Sequence, residues 1–257
     1  MSEPNDSDQD GQPAAGFVNL DDALDLLAHG ELSVRGLLAG SSNYTFLADV
    51  RSERCQGLAI YKPRQGETPL WDFPPGTLCQ RELAAYLVSQ ALGWALVPPT
   101  LIRVGPYGQG AVQLFVDADF DQHYFTFRDE PALQPALQRI AAFDLVINNA
   151  DRKAGHVLLG QEERIWAIDH GVCFHVQPKL RTVIWEFAGQ QLPIDLIIDL
   201  AGLRAQLEQG CELHERLAGL LSAAELAALA RRTELTLNAG VFPDPDPQRR
   251  SYPWPLV

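Results

Sequence analysis

Apolar residues change period along the chain, and the changes divide it into segments. From Asn19, Leu20, Leu24 and Leu27 recur at three- and four-residue spacing with Gly30 after them, which predicts a short helix. Between Leu32 and Gly66 the period shortens. ELSVRGLLAG, YTFLADV and GLAIYKP are short, rich in β-branched or aromatic residues and punctuated by Gly and Ser, and they predict three antiparallel strands. Helical spacing returns in LCQRELAAYLVSQALG, where Leu83, Tyr86, Leu87 and Leu92 share one face and Gly93 marks the stop. VPPTLIRV and GAVQLFVD predict two further strands about a GPYGQG turn.

The second half is mostly helical. ALQRIAAFDLVINN predicts one helix, HVLLG and RIWAIDH predict a hairpin turned by Gly160 and QEE, and Leu192 to Leu237 is built of helix formers, with Ser222 opening a capping box. FPDPDPQRRSYPWPLV is too rich in proline for regular structure. A β-rich half followed by an α-rich half predicts an α+β, two-lobed fold. The expected divisions are a disordered polar tail over 1–16, an N-lobe over 17–117, a C-lobe over 118–240 and a Pro-rich tail over 241–257.

Composition narrows the class. With 46% hydrophobic and 21% charged residues, a chain of 257 residues can fill a sizeable core. Its net charge of −13 argues against nucleic acid or an anionic membrane surface as a partner. An anionic substrate stays open, since one lysine and a divalent cation can reverse the sign of a pocket. Cys55, Cys79, Cys173 and Cys211 lie far apart, the opening segment is acidic where a signal peptide is basic, and no apolar run reaches transmembrane length. A cytoplasmic protein without stable membrane insertion is the expectation.

Four features follow in an order that phosphoryl transfer requires. GSSNYTFL, with Gly40, Ser41, Ser42 and Asn43, is a turn whose backbone amides could approach phosphates, and equally the composition of a surface turn. Lys62 ends a predicted strand and Glu82 lies in the next helix, placed to form the lysine–glutamate pair of a phosphate anchor or to be two solvated side chains. NNADRKAGHVLL places Asp151 after a helix with a potential metal ligand, His156, five residues on. AIDHG places Asp169 at the end of the following strand, so that a short hairpin could bring both carboxylates to one cleft around Mg²⁺.

NNADR…H followed by AIDHG resembles the phosphatidylinositol 3-/4-kinase superfamily, in its compact actinobacterial form. It is more distantly similar to HipA-like toxin kinases and type II phosphatidylinositol 4-kinases. The resemblance runs from about Val34 to Leu237 and implies a protein-kinase-like fold, with an antiparallel N-lobe carrying one helix. It further implies ATP with Mg²⁺ (or Mn²⁺), Lys62 as phosphate anchor, Glu82 as its partner, Asp151 as catalytic aspartate and Asp169 as principal metal ligand. Gln113, Leu114, Phe115 and Val116 would meet adenine through their backbone. The family's Asn is His156 here, a residue that suits Zn, Mn or Fe better than Mg²⁺. The acceptor would be a hydroxyl on a protein, a metabolite or an inositol lipid.

Two rival readings accompany this one. A pseudokinase would bind nucleotide and transfer little phosphate. A transition-metal site could be built from His156, His170, His175 and Asp169, although His170 reads better as a spacer packed on the helix of Glu82. Trp71, Trp94, Trp166 and Trp185 read as core or interface aromatics.

Overall fold

The structure, a computed structural model, describes residues 19–38 and 43–257. Helix α1 (Leu20–His29) precedes strands β1 (Glu31–Leu37), β2 (Phe46–Arg51) and β3 (Gln56–Pro63). Helix α2 (Leu78–Ala91) leads to β4 (Thr100–Gly105) and β5 (Gly108–Leu114). The second half contains α3 (Tyr124–Phe127), α4 (Gln134–Ile147), the hairpin β6 (Val157–Leu159) and β7 (Ile165–Ala167), then α5 (Ile194–Gln206), α6 (Glu212–Ala218) and α7 (Ala223–Ala239). An antiparallel five-stranded sheet in the order β1-β2-β3-β5-β4 forms one lobe and the helices form the other.

The period of two along a strand decides what faces the cleft. On β3, Ala59 and Tyr61 point into a small core with Leu26 and Leu27 of α1, Val50 and Val112. Ile60 and Lys62, on the other face, line the space between the lobes. Asn19 caps α1 by accepting from the Asp22 N–H at 2.9 Å, and Arg103 closes its far end by donating to Leu27 O and Gly30 O, both at 2.8 Å.

Helix α2 departs from the one-faced expectation. Ten of its residues are buried, including Arg81 and Glu82, while Leu83 is only half-buried. Sheet on one side and helices on the other leave it little water. Its Ala84, Leu87 and Val88 belong to the large core with Phe143, Ile147, Leu200 and Leu229. Trp94 is buried as expected, whereas Trp71 is 92% exposed, with the Lys179 amine 5.1 Å above its ring.

Residues 242–257 form no helix and no strand, as proline dictates, yet the segment is docked. Thr182 N donates to Ser251 O at 3.1 Å, Trp185 Nε1 donates to the same carbonyl at 3.1 Å, and Ala154 N donates to Leu256 O at 2.8 Å. No helix among the described residues is long and apolar enough to cross a membrane.

Leu200 is fully buried in α5 at the centre of the large core. Leu200→Ala should lower the free energy of unfolding by about 2–5 kcal/mol, read from urea denaturation.

Candidate active site

The cleft begins with a lysine between two acids. Lys62 Nζ lies 2.5 Å from Glu82 Oε1 and 3.1 Å from Asp169 Oδ1, residues contributed by β3, α2 and the turn after β7. The second oxygen of Glu82 accepts from the His170 backbone N–H at 3.0 Å, so one carboxylate grips both the lysine and the chain beside Asp169. Burial alone would strip the proton from Lys62, but the Asp169 and Glu82 carboxylates outweigh it and raise its pKa. The same lysine holds Asp169 well below the usual carboxylate range.

The loop after α4 carries Asp151. Asn148 ends the helix in the left-handed region (φ 54°), a conformation asparagine tolerates. Its side chain donates to His175 O and Gln177 O at 2.9 and 2.8 Å, and accepts from Lys179 N at 2.8 Å. Asn149 donates to Asp144 at 3.0 Å and accepts from the Asp151 N–H at 2.9 Å. Arg152, fully buried, donates to Asp144 through Nη2 (2.9 Å) and Nε (3.0 Å), and through Nη1 to Ile168 O (2.8 Å) and His156 O (3.2 Å). Asp151 is thus held between two anchored neighbours while its own carboxylate faces the cleft. Burial pushes the Asp151 pKa up, against the pull of Lys153, whose amine lies 3.1 Å away.

These side chains converge on a cavity of about 570 Å³, within the size range of nucleotide and cofactor sites. Lys62, Glu82, Asp151, His156, Asp169 and Asn43 line it, as do Gln113 to Val116. Gly40, Ser41 and Ser42 lie outside the described residues. Asn43 is not wholly free to meet a ligand, because its Oδ1 accepts from Thr68 N at 2.7 Å. Of the four residues expected to meet adenine through their backbone, Gln113 lies within the sheet opposite Ile60 and Thr100, Leu114 N donates to Pro99 O and Phe115 N to Leu58 O. Gln113 uses its side chain on Thr100 Oγ1, at 2.8 Å.

His156 decides whether a metal fits. Its Nε2 lies 3.3 Å from Asp169 Oδ2, and its Nδ1 lies 3.1 Å from Asp151 O and 3.5 Å from Lys153 N. With the proton on Nδ1 the ring donates to Asp151 O and turns a bare lone pair toward the Asp169 carboxylate. Two acceptors side by side suit a cation between them. With the proton on Nε2 the ring donates to Asp169 and accepts from Lys153 N, and the pair closes on itself. The residues therefore fit a divalent cation in one tautomer. Among the described residues no three His, Cys, Asp or Glu side chains form a ready-made metal cage, so phosphate oxygens and water would complete the shell, as Mg²⁺ commonly requires.

The transition-metal alternative does not assemble. His170 turns away from the cleft. Asp169 stands at φ 59°, and beyond it the His170 ring lies edge-on to Phe143 of α4 with Nε2 2.8 Å from Arg152, so it packs on the C-lobe and only its backbone meets Glu82. His175 lies edge-on to Phe73. Sequence reasoning overlooked Lys153, which lines the cavity beside Asp151, and its position two residues after that aspartate was the available signal. It also overlooked Arg152, whose partner Asp144 lies inside the preceding helix.

Burial holds His156 neutral, its pKa lowered to about 4 from 6.5, and lowers His170 as well. The unfolded chain takes up protons near pH 6.5 that the folded chain refuses, so stability falls as the pH drops through that range. The His156 share amounts to about 2–3 kcal/mol by about pH 4.5. His156→Gln should shrink the fall in unfolding free energy between about pH 7.5 and about pH 4.5 by that amount, leaving the His170 share. An unchanged fall would mean that the ring titrates alike in the folded and unfolded chain.

No established family model matches the chain. Protein Rv2133c of Mycobacterium tuberculosis is 44% identical over 272 aligned positions, which cover 91% of this chain and 95% of that one. Phosphatidylinositol 4-kinase gamma 4 of Oryza sativa subsp. japonica is 29% identical over 170 positions, 52% of this chain and 29% of the rice protein. Two solved structures share the fold at low identity. The Golgi casein kinase with Mn/ADP bound has a TM-score of 0.53 and 14% identity, over 93% of this chain and 80% of that one. Hydra Fam20 with sugar has a TM-score of 0.54 and 13% identity, over 86% and 87%. The fold is therefore kinase-like and two-lobed, and by its identity with Rv2133c along almost the whole of both chains the protein belongs to the family of that mycobacterial protein.

Proposed function

We propose that the protein is an ATP-dependent phosphotransferase that passes a γ-phosphate to a hydroxyl acceptor, within the phosphatidylinositol 3-/4-kinase-like group. The observation that carries this reading is the Lys62 amine held at once by Glu82 and Asp169 on the wall of a cavity that Asp151 also lines. The similarity to the rice kinase over half the chain supports the family assignment. The acceptor is a protein, a metabolite or an inositol lipid.

Each side chain has work that its position allows. Val116 N–H is the hinge donor left for an adenine ring nitrogen, since Leu114 and Phe115 have spent theirs. Lys62 anchors the α- and β-phosphates, and Glu82 keeps its amine from turning aside. Asp169 with His156 would hold Mg²⁺ or Mn²⁺, and such an ion supplies charge neutralisation between the phosphate oxygens. Lys153 faces the transferred group. Asp151 orients the acceptor hydroxyl and accepts its proton; its raised pKa favours that role. Positioning and charge neutralisation supply most of the acceleration, since phosphoryl transfer asks little covalent help of the protein.

A second reading, a nucleotide-binding module with little transfer, rests on His156 alone, which replaces the amide ligand of the kinase loop with an imidazole that can fold back onto Asp169. The two readings separate in one assay. Purified protein with labelled ATP should form phosphorylated product, first on itself and then in protein and lipid extracts. Asp151→Asn and Asp169→Asn should each reduce turnover by about 100-fold or more. Thermal stabilisation by ATP without turnover under Mg²⁺ or Mn²⁺ would favour the binding module. Turnover by Asp151→Asn at the wild-type rate would remove Asp151 from the mechanism.

His156→Asn restores the amide and should raise turnover with Mg²⁺ relative to Mn²⁺ by about tenfold, because an amide oxygen suits the harder ion. The ratio of the two rates at saturating metal is the measurement. A ratio that stays at the wild-type value would take His156 out of the metal shell.

A further inference from the structure

We infer that Arg81 and Glu225 are positioning residues that hold α2, and with it Glu82 and Lys62, in the assembled arrangement before any nucleotide arrives. The inference deepens the phosphotransferase reading, because it concerns the same lysine and glutamate.

Arg81 is adjacent to Glu82 in sequence, but its side chain runs to the other lobe. Its Nη2 lies 2.5 Å from Glu225 Oε1 on α7, its Nη1 donates to Cys173 O at 2.7 Å, and its guanidinium carbon sits 4.8 Å over the Phe73 ring. Arg81 is 1% exposed and Glu225 7%. Glu225 is fixed in turn, since Oε2 accepts from Ser222 N at 2.9 Å and from Ser222 Oγ at 2.7 Å within the capping box of α7. Cys173 stands four residues past Asp169. One guanidinium therefore ties α2 to the start of α7 and to the segment that follows the metal-binding aspartate.

A helix is stiff over a single residue, so α2 cannot carry Glu82 away from Lys62 unless Arg81 moves too. An outward swing of α2 would separate two buried charges and leave both without a partner, a strongly disfavoured state. The loop before α2 adds to the restraint. Lys179 holds Asp72 at 2.7 Å, and Phe73 meets His175 edge-on with centroids 5.3 Å apart. Hydrophobic packing alone would permit sliding, whereas a hydrogen-bonded guanidinium fork fixes one register.

The test removes both charges together, so that no lone ion is left buried. Arg81→Met keeps a flexible apolar stem against Phe73. Glu225→Gln keeps the capping box, which accepts Gln as well as Glu. Amide hydrogen exchange is followed by mass spectrometry in α2 and in α4, for wild type, the double variant and Thr233→Ala, a buried change elsewhere in α7. In the double variant α2 should exchange about tenfold faster or more while α4 stays protected, and kcat should fall by a similar factor with a smaller change in KM. Thr233→Ala should affect both helices alike. If α2 stays as protected as in wild type, or if both helices of the double variant accelerate together as in Thr233→Ala, the positioning role is overturned. Wild-type protein that turns over no ATP would sink the phosphotransferase reading but leave the exchange comparison to decide this one.

Discussion

The buried ion pair between Arg152 and Asp144 is the constraint from which the cleft between the lobes follows. Both side chains are sealed from water, and a guanidinium in that setting must satisfy its donors within the protein. Arg152 does so on groups beside Asp169, His156 and Asp151: the Ile168 carbonyl next to Asp169, the His156 carbonyl, the His170 ring, and Asp144, which also holds Asn149 next to Asp151. The loop of Asp151 and the turn of Asp169 are thus two ends of one hydrogen-bonded block. The left-handed backbone at Asp169 is tolerable because the block determines it from both sides.

The N-lobe half is joined to this block by charge. Lys62 shares its proton-bearing amine between a carboxylate from α2 and one from the C-lobe turn, and Glu82 divides its two oxygens between Lys62 and the His170 amide. In a chain of net charge −13 the cleft is a place where cations and anions are matched locally, and Lys62 and Lys153 each face an aspartate. A polyanion entering there meets donors that are already oriented, which limits the reorganisation that binding would otherwise require.

Much of this was legible in the sequence because the signals are local. Strand period places Lys62 on the cleft face of β3, the short hairpin brings Asp151 and Asp169 together, and Ser222 with Glu225 announces the start of α7. What escaped depends on contacts distant in the chain or on one unusual dihedral. Arg81 and Glu225 are 144 residues apart, so that Arg81 reads as an ordinary helical arginine. The His170 ring was expected against α2, and the positive φ of Asp169 sends it toward Phe143 instead. Helix α2 reads as one-faced because periodicity counts apolar residues and cannot see a buried Arg and Glu. Trp71 reads as a core or interface aromatic, but the proline-rich loop that carries it holds it out in solvent.

The docking of residues 251–256 against the loop that carries Asp151 has a practical side. Leu256 accepts a hydrogen bond from Ala154, three residues after Asp151, so anything joined to Val257 would begin close to the loop that carries Asp151. A purification handle or fluorescent fusion attached there would crowd that side of the cleft. Measurements on such a protein would report on the attachment as much as on the cleft.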